Sequence, residues 1–208
     1  GAYGMEVKDS ITKVHTLEIK NKEVKIFSNK DCKFSYRNST FKKEEEKKFI
    51  ITKVEFKLSK QPLNKTSYGA IEDELKNLKL EANPATIARA VINIRNRKLP
   101  DPKILGNSGS FFKNPVIETT EFETLKKEFP EMVGYTISNY QTKIAAGWLI
   151  DNAGLKGYRK ADAGVHENQA LVLVNYGNAT GTEIINLAKE IQQKIKIQYG
   201  IIIEPEVS

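Results

Sequence analysis

The stretch Gly106-Asn107-Ser108-Gly109-Ser110-Phe111-Phe112-Lys113-Asn114-Pro115 combines residue types that can do chemistry. Glycines flanking a serine pair let backbone approach a ligand closely. Two aromatics follow, then a lysine and an asparagine that can meet phosphate or carboxylate oxygens. The plain alternative is a tight loop before a strand. Other motifs fail on spacing. His166-Glu167 has no second histidine four residues on, so a zinc-protease reading is out, and His166 reads as a hydrogen-bonded structural residue. No phosphate loop and no Gly-x-Gly-x-x-Gly fingerprint occurs, which argues against a self-contained P-loop or Rossmann site. Cys32 reads as a small apolar filler rather than a thiol nucleophile.

The elements that must position these residues read as α+β. Ile50–Leu58 alternates with period two, the even positions Ile50, Thr52, Val54, Phe56 and Leu58 forming one face of a half-exposed strand. Val7–Val14, His15–Ile19 and Val24–Phe27 read as earlier strands, and the charged run Lys42–Lys48 as a solvated tip or loop. Tyr68–Leu80 reads as a short helix. Asn83-Pro84 marks the start of the next, with an N-cap followed by proline at the first helical position. Helices are expected over Glu121–Phe129, over Lys143–Ala153 with Gly154 as its cap, and from Thr182 to Gly200. Ala170–Val174 and Ile201–Ile203 read as buried strands.

The 208 residues carry 33 Lys+Arg against 26 Asp+Glu, a net charge of +7, and 39% are hydrophobic. That is enough apolar material for a real core and excludes wholesale disorder. No run approaches the roughly 18–20 apolar residues of a membrane helix. The single cysteine excludes an intramolecular disulfide framework and two histidines leave little for a His-rich metal site, so no metal and a reducing compartment are expected. Three Asn-x-Thr or Asn-x-Ser patterns, at Asn38, Asn64 and Asn178, read as chance without a secretory leader. The first residue is Gly1, from which the reading expects a processed chain or a piece of a longer one.

Taken together these segments resemble the UDP-N-acetylenolpyruvoylglucosamine reductase (UDP-N-acetylmuramate dehydrogenase) family. Gly106–Pro115 is similar to its active-site loop, Gly1-Ala2-Tyr3-Gly4 to its segment near the flavin, and Ser35-Tyr36-Arg37-Asn38-Ser39 to its Tyr-Arg-x-Ser motif. Ala145–Ile150, Leu155-Lys156-Gly157, Val165-His166 and Gln169–Val172 resemble its substrate domain, and Glu204–Val207 its closing motif. The resemblance implies a flavoenzyme of peptidoglycan synthesis. NADPH reduces FAD, and hydride passes to the enolpyruvyl double bond of a UDP-sugar. It gives Ser110 as proton donor, Arg37 as the stabiliser of carboxylate charge and Glu206 as its acidic assistant. Gly1, Ala2, Tyr3 and Gly4 would line the flavin, and Tyr68, Lys98, Asn114, Lys156 and Gln169 would hold the UDP moiety. A cytoplasmic location is implied too.

The resemblance also implies that a Gly-rich flavin pyrophosphate loop belongs upstream of Gly1. The chain then reads as the tail of a flavin-binding α+β domain (residues 1–75) followed by a mixed α/β substrate-binding domain (residues 76–208). Glu206 would lack support, and self-association or pairing with the missing N-terminal segment is expected. Two alternatives stay open. One is a catalytically silent fragment that binds UDP-sugar but not flavin. The other is a nucleic-acid module suggested by a pI near 9.2. Against the latter, the basic residues are interspersed with glutamate and lack stacking aromatics, so neither nucleic acid nor membrane is an expected partner.

Overall fold

The computed structural model describes residues 1, 3–43 and 48–207, so Ala2 and most of the Lys42–Lys48 run lie outside the described residues. The chain forms two compact units, Gly1–Ile94 and Arg95–Ser208. They part inside a helix.

In the first unit a 3-10 turn, Val7–Asp9, precedes β1 (Ile11–Glu18), β2 (Val24–Ser28) and β3 (Phe49–Phe56). They form an antiparallel sheet in the order β2-β1-β3. The two early strands expected over Val7–Val14 and His15–Ile19 are thus one strand after a turn. Its inner face buries Val14, opposite Phe27 and Val54. Cys32 is fully buried beside them as the expected filler, and burial pushes its thiol pKa up. The even face expected for β3 is not its buried face. A register shift between the His15 and Thr16 pairings inserts an extra residue in β3. Phe49, not Ile50, therefore packs edge-on to Phe27 at 5.3 Å, while Ile50 stays 52% exposed.

Two helices complete this unit: α1 (Ile71–Leu78) and α2 (Pro84–Lys98). Asn83 caps α2 as expected, its Oδ1 accepting from the amides of Ala85 and Thr86 at 3.0 Å. Ile71, Leu75, Ala90 and Ile94 bury one another, with Tyr3 and Val91 against them. This packing of α2 onto α1 joins Ile94 to the first unit.

The second unit holds two sheets. One has the order β4-β10-β9-β8, from β4 (Gly106–Ser110), β8 (Arg159–Lys160), β9 (Ala163–Val165) and β10 (Val172–Asn175). The other, β5-β7-β6, is built from β5 (Val116–Glu118), β6 (Gly134–Thr136) and β7 (Gln141–Ile144). Three helices pack with them: α3 (Thr119–Glu128), α4 (Ala146–Asn152) and α5 (Gly181–Tyr199). Ile144, Leu149, Ile150, Val165, Leu187, Ile191, Ile195 and Ile203 are almost wholly buried in one core, each such burial stabilising by about 1.5–3 kcal/mol.

Three expectations change here. Lys143 and Ile144 are strand, not helix, because the amides of Ile144 and Ala145 bond to the distant carbonyls of Pro115 and Val133, both at 2.9 Å. The last helix starts earlier than Thr182. Thr180 is its cap, and a reciprocal box with Glu183 satisfies both backbone amides. Ile201–Ile203 alternates buried, exposed, buried but joins no ladder; the Ile203 carbonyl accepts from Gln192 Nε2 at 2.7 Å instead. Among the described residues no helix is long and apolar enough to cross a membrane, and no cluster of His, Cys, Asp or Glu could hold a metal.

Candidate active site

Ser110 ends β4, a strand with a kink. Val172 pairs with Ser110, and Val174 pairs with Asn107, so β4 spends one more residue than β10 over that span. The surplus is absorbed by Gly109 at φ +76°, a conformation that favours glycine. Asn107 fixes the bend: its Oδ1 accepts from the Gly109 amide at 3.0 Å, and its Nδ2 donates to the Leu105 carbonyl at 2.8 Å. Ser110 is left exposed, while Phe111 and Phe112 turn into the core at 3% and 1% exposure. The segment expected as a ligand loop, or a plain tight loop, is a bulged strand.

Past Ser110 the strand meets the segment Glu204–Glu206. Phe112 bridges Pro205, the Lys113 amide donates to the Glu204 carbonyl at 2.9 Å, and the Glu206 amide donates to the Phe111 carbonyl at 2.7 Å. Lys113 Nζ also pairs with Glu204 Oε2 at 3.1 Å. Glu206 is therefore half-buried and backbone-bonded beside the serine strand. The expectation that it would lack support is corrected: its support comes from within the second unit.

Asn114 follows, and its Oδ1 accepts from the Ala146 amide at 3.0 Å, where α4 starts without a cap from its own Ala145. With the oxygen so used, the other polar end of this side chain is the Nδ2 donor. Lys156 lies after α4 and pairs with Asp151 Oδ2 at 2.5 Å. Gln169 is half-buried in the β9–β10 connection, its carbonyl accepting from the Val172 amide. His166 is structural there, taking the Asn168 amide on Nδ1 at 3.3 Å. Lys98 is exposed at the end of α2. Ser110 and Glu206 are thus set at neighbouring ladder positions, while Asn114 is tied to the start of α4.

A second group of site residues lies in the first unit. Ser35 and Asn38 exchange backbone hydrogen bonds of 3.0 and 3.2 Å around a turn whose central residues are Tyr36 and Arg37. Arg37 sits at φ +51° with its guanidinium 5.3 Å from the centre of the Tyr36 ring, and its Nη1 donates to the Gly1 carbonyl at 3.3 Å. Tyr3 and Gly4 both have positive φ, +52° and +72°. The Tyr3 ring meets Tyr68 edge-on at 6.0 Å, and Tyr68 remains 54% exposed. Gly1, Tyr3, Gly4, Arg37 and Tyr68 therefore form one neighbourhood.

Sequence reasoning missed Asn107 and Asp151. An Asn two residues before a glycine is an Asx-turn signal and could have flagged the first. For Asp151 the clue is Gly154, which at φ +71° turns the chain back after α4.

Comparison with known proteins gives the family. The model of the UDP-N-acetylenolpyruvoylglucosamine reductase C-terminal domain matches residues 101–208. The UDP-N-acetylenolpyruvoylglucosamine reductase of Flavobacterium johnsoniae is 53% identical over 211 residues, covering 100% of this chain and 62% of the relative. That of Chromobacterium violaceum is 46% identical, covering 99% of this chain and 61% of the relative. The chain thus spans about three fifths of the length of these curated relatives. The crystal structure of the reductase from Thermus caldophilus superposes with a TM-score of 0.61 over 100% of this chain and 56% of that one, at 22% identity, which is a likeness of fold. With the serine strand, the closing segment and the helix-capping asparagine all inside the matched region, the chain belongs to the UDP-N-acetylenolpyruvoylglucosamine reductase family.

Proposed function

We propose that this chain serves the reduction of UDP-N-acetylglucosamine enolpyruvate to UDP-N-acetylmuramate in peptidoglycan precursor synthesis. The observation that carries the reading is the pairing of the serine strand with the closing segment, which sets Glu206 one ladder position from Ser110. Residues 1–75 would be the tail of the second flavin-binding domain, and residues 76–208 the substrate domain.

FAD fits one feature of the first unit. The left-handed turn at Tyr3 and Gly4 follows directly on Gly1, whose carbonyl accepts from Arg37 Nη1 at 3.3 Å, so a short stretch of backbone with a guanidinium at its edge would be offered to a flat ring whose reduced form carries negative charge. Gly1, Ala2, Tyr3 and Gly4 would line it. When bound and reduced by NADPH, FAD supplies hydride to the methylene end of the enolpyruvyl double bond. The pair of electrons displaced from that bond moves toward the carboxylate, where Arg37 would hold the developing charge. Ser110 would give its proton to the adjacent carbon, completing the lactyl ether. A serine hydroxyl is a poor acid in water, so this transfer depends on placement against a strongly basic carbon, with Glu206 assisting Arg37 at the carboxylate. Tyr68, Lys98, Asn114, Lys156 and Gln169 would hold the UDP moiety.

The visible spectrum of the purified chain, before and after FAD addition and desalting, tests the flavin reading. With flavin retained, Ser110→Ala is expected to lower kcat by about 10²–10⁴ with little change in KM; an unchanged kcat removes Ser110 from the chemistry. A second reading is favoured by the family match falling on 101–208: UDP-sugar binding without flavin. UDP titration by calorimetry on a flavin-free chain selects it.

A further inference from the structure

Helix α2 ends at Lys98, and its hydrogen bonding runs one residue further, the Leu99 amide donating to the Arg95 carbonyl at 2.8 Å. Pro100 has no amide with which to continue it. The chain then loops from Pro100 to Leu105, and Asp101 ties that loop to itself. The Asp101 carbonyl accepts from the amides of Ile104 and Leu105 at 3.0 and 2.9 Å, and its Oδ1 accepts from the Lys103 amide at 2.9 Å. One side chain of the serine strand joins the two ends of the loop. Asn107 Nδ2 donates to the Pro100 carbonyl at 3.3 Å and to the Leu105 carbonyl at 2.8 Å, while its Oδ1 accepts from the Gly109 amide at 3.0 Å. Turned over, this amide would set its oxygen against two carbonyls and its nitrogen against an N–H, so its orientation is fixed.

We infer that Asn107 is a positioning residue that locks the loop after Lys98 in register with the serine strand, and that it acts through Lys98 on the pyrophosphate of a uridine diphosphate ligand. This rests on the reading above that Lys98 holds the UDP moiety. Lys98 is exposed, and its ammonium rides on a long flexible stem, so the space it can reach is set by where the backbone on either side is held. Asp101 holds the loop to itself; Asn107 holds it to the sheet. The same amide group sets the bend that leads to Ser110, which refers the anion-binding lysine and the proton-donating serine to one fixed point. Holding the lysine there spares part of the ordering cost that an untied segment would meet on binding.

Asn107→Ser and Asn107→Ala both remove the donated bonds to Pro100 and Leu105 without changing charge. The serine hydroxyl can still accept from the Gly109 amide, which guards against a folding defect. In the ligand-free chain the backbone amide resonances of Lys98, Leu99 and Asp101 are expected to move in both variants. Calorimetry with UDP is expected to show about 2- to 10-fold weaker binding in both. Its salt dependence is expected to be shallower, because a misplaced Lys98 gives up its share of the ionic attraction. In a Lys98→Ala background, Asn107→Ser is expected to cost nothing further. Unmoved resonances in both variants overturn the lock. Moved resonances with unchanged affinity and salt dependence overturn its action on the ligand, and additive losses in the double variant overturn the route through Lys98. If Lys98→Ala binds UDP as tightly as the unsubstituted chain, or if neither binds it, the reading of Lys98 as a ligand contact fails and the ligand half of the inference falls with it. The resonances then decide the lock alone.

Discussion

Asp151 Oδ2 already holds the Lys156 ammonium, so an incoming pyrophosphate would have to take that lysine from a carboxylate. Both side chains are more than a third exposed, and such pairs are worth at most about 1 kcal/mol. Asp151→Asn is therefore expected to tighten UDP binding by up to roughly fivefold, and Lys156→Ala to weaken it; calorimetry showing no change in either variant removes Lys156 from the ligand contacts. Asn114 behaves differently, because its Oδ1 is committed to the start of α4. At this scale the sequence was informative about type and poor about partners. Cys32 could be read as a buried filler from its neighbours in the chain. That Lys156 is paired, or that Glu206 is backed by Phe111, depends on residues brought close only by folding.

Elements were legible wherever the signal is local. The Asn83-Pro84 start of α2 needs only its own first turn, and the capped end at Gly200, φ +71°, only its last. The register shifts at Thr52 and at Gly109 were not legible, because a bulge exists only relative to a partner strand: β1 for Thr52 and its neighbours, β10 for Gly109. Helical spacing over Lys143–Ala153 misled for the same reason, since Pro115 and Val133 compete successfully for the first amides. The bulge at Gly109 makes a prediction of its own. Nothing lies within 4 Å of the position a Cβ would take there, so Gly109→Ala meets no clash and its whole cost is the left-handed backbone, about 1–2 kcal/mol. Thermal melting is expected to fall by about 2–8 °C. A melting point equal to that of the unsubstituted chain means β4 straightened at no cost, and the bulge is then no fixed feature of the strand.

Across the molecule the charge is uneven. Residues 1–94 carry 19 Lys and Arg against 13 Asp and Glu, net +6, whereas residues 95–208 carry 14 against 13, net +1. The net charge therefore resides almost wholly with the sheet β2-β1-β3, α1 and most of α2, rather than with the unit that matches the family's C-terminal domain. In that second unit three carboxyls lie below their ordinary range. Asp162 is held down by the Asn178 amide and by Arg159, Glu183 by the Thr180 amide and hydroxyl, and Glu190 by Lys160 and Tyr158. A carboxyl with a lowered folded pKa adds stability above its unfolded pKa and loses it as pH falls through the folded one. Melting temperature is thus expected to drop between about pH 5 and pH 2. Asp162→Asn should flatten that drop, and an equally steep one would assign the acid sensitivity to other groups. The closing segment is tied to the serine strand by backbone bonds at Lys113 and Glu206, by the Phe112–Pro205 bridge and by the Lys113–Glu204 ion pair, with Ile201 and Ile203 anchored in the core just before it. Glu206 and the serine strand are therefore mechanically one piece. The amides of Lys113 and Glu206 should exchange with solvent together, and a substitution that loosens one should loosen the other.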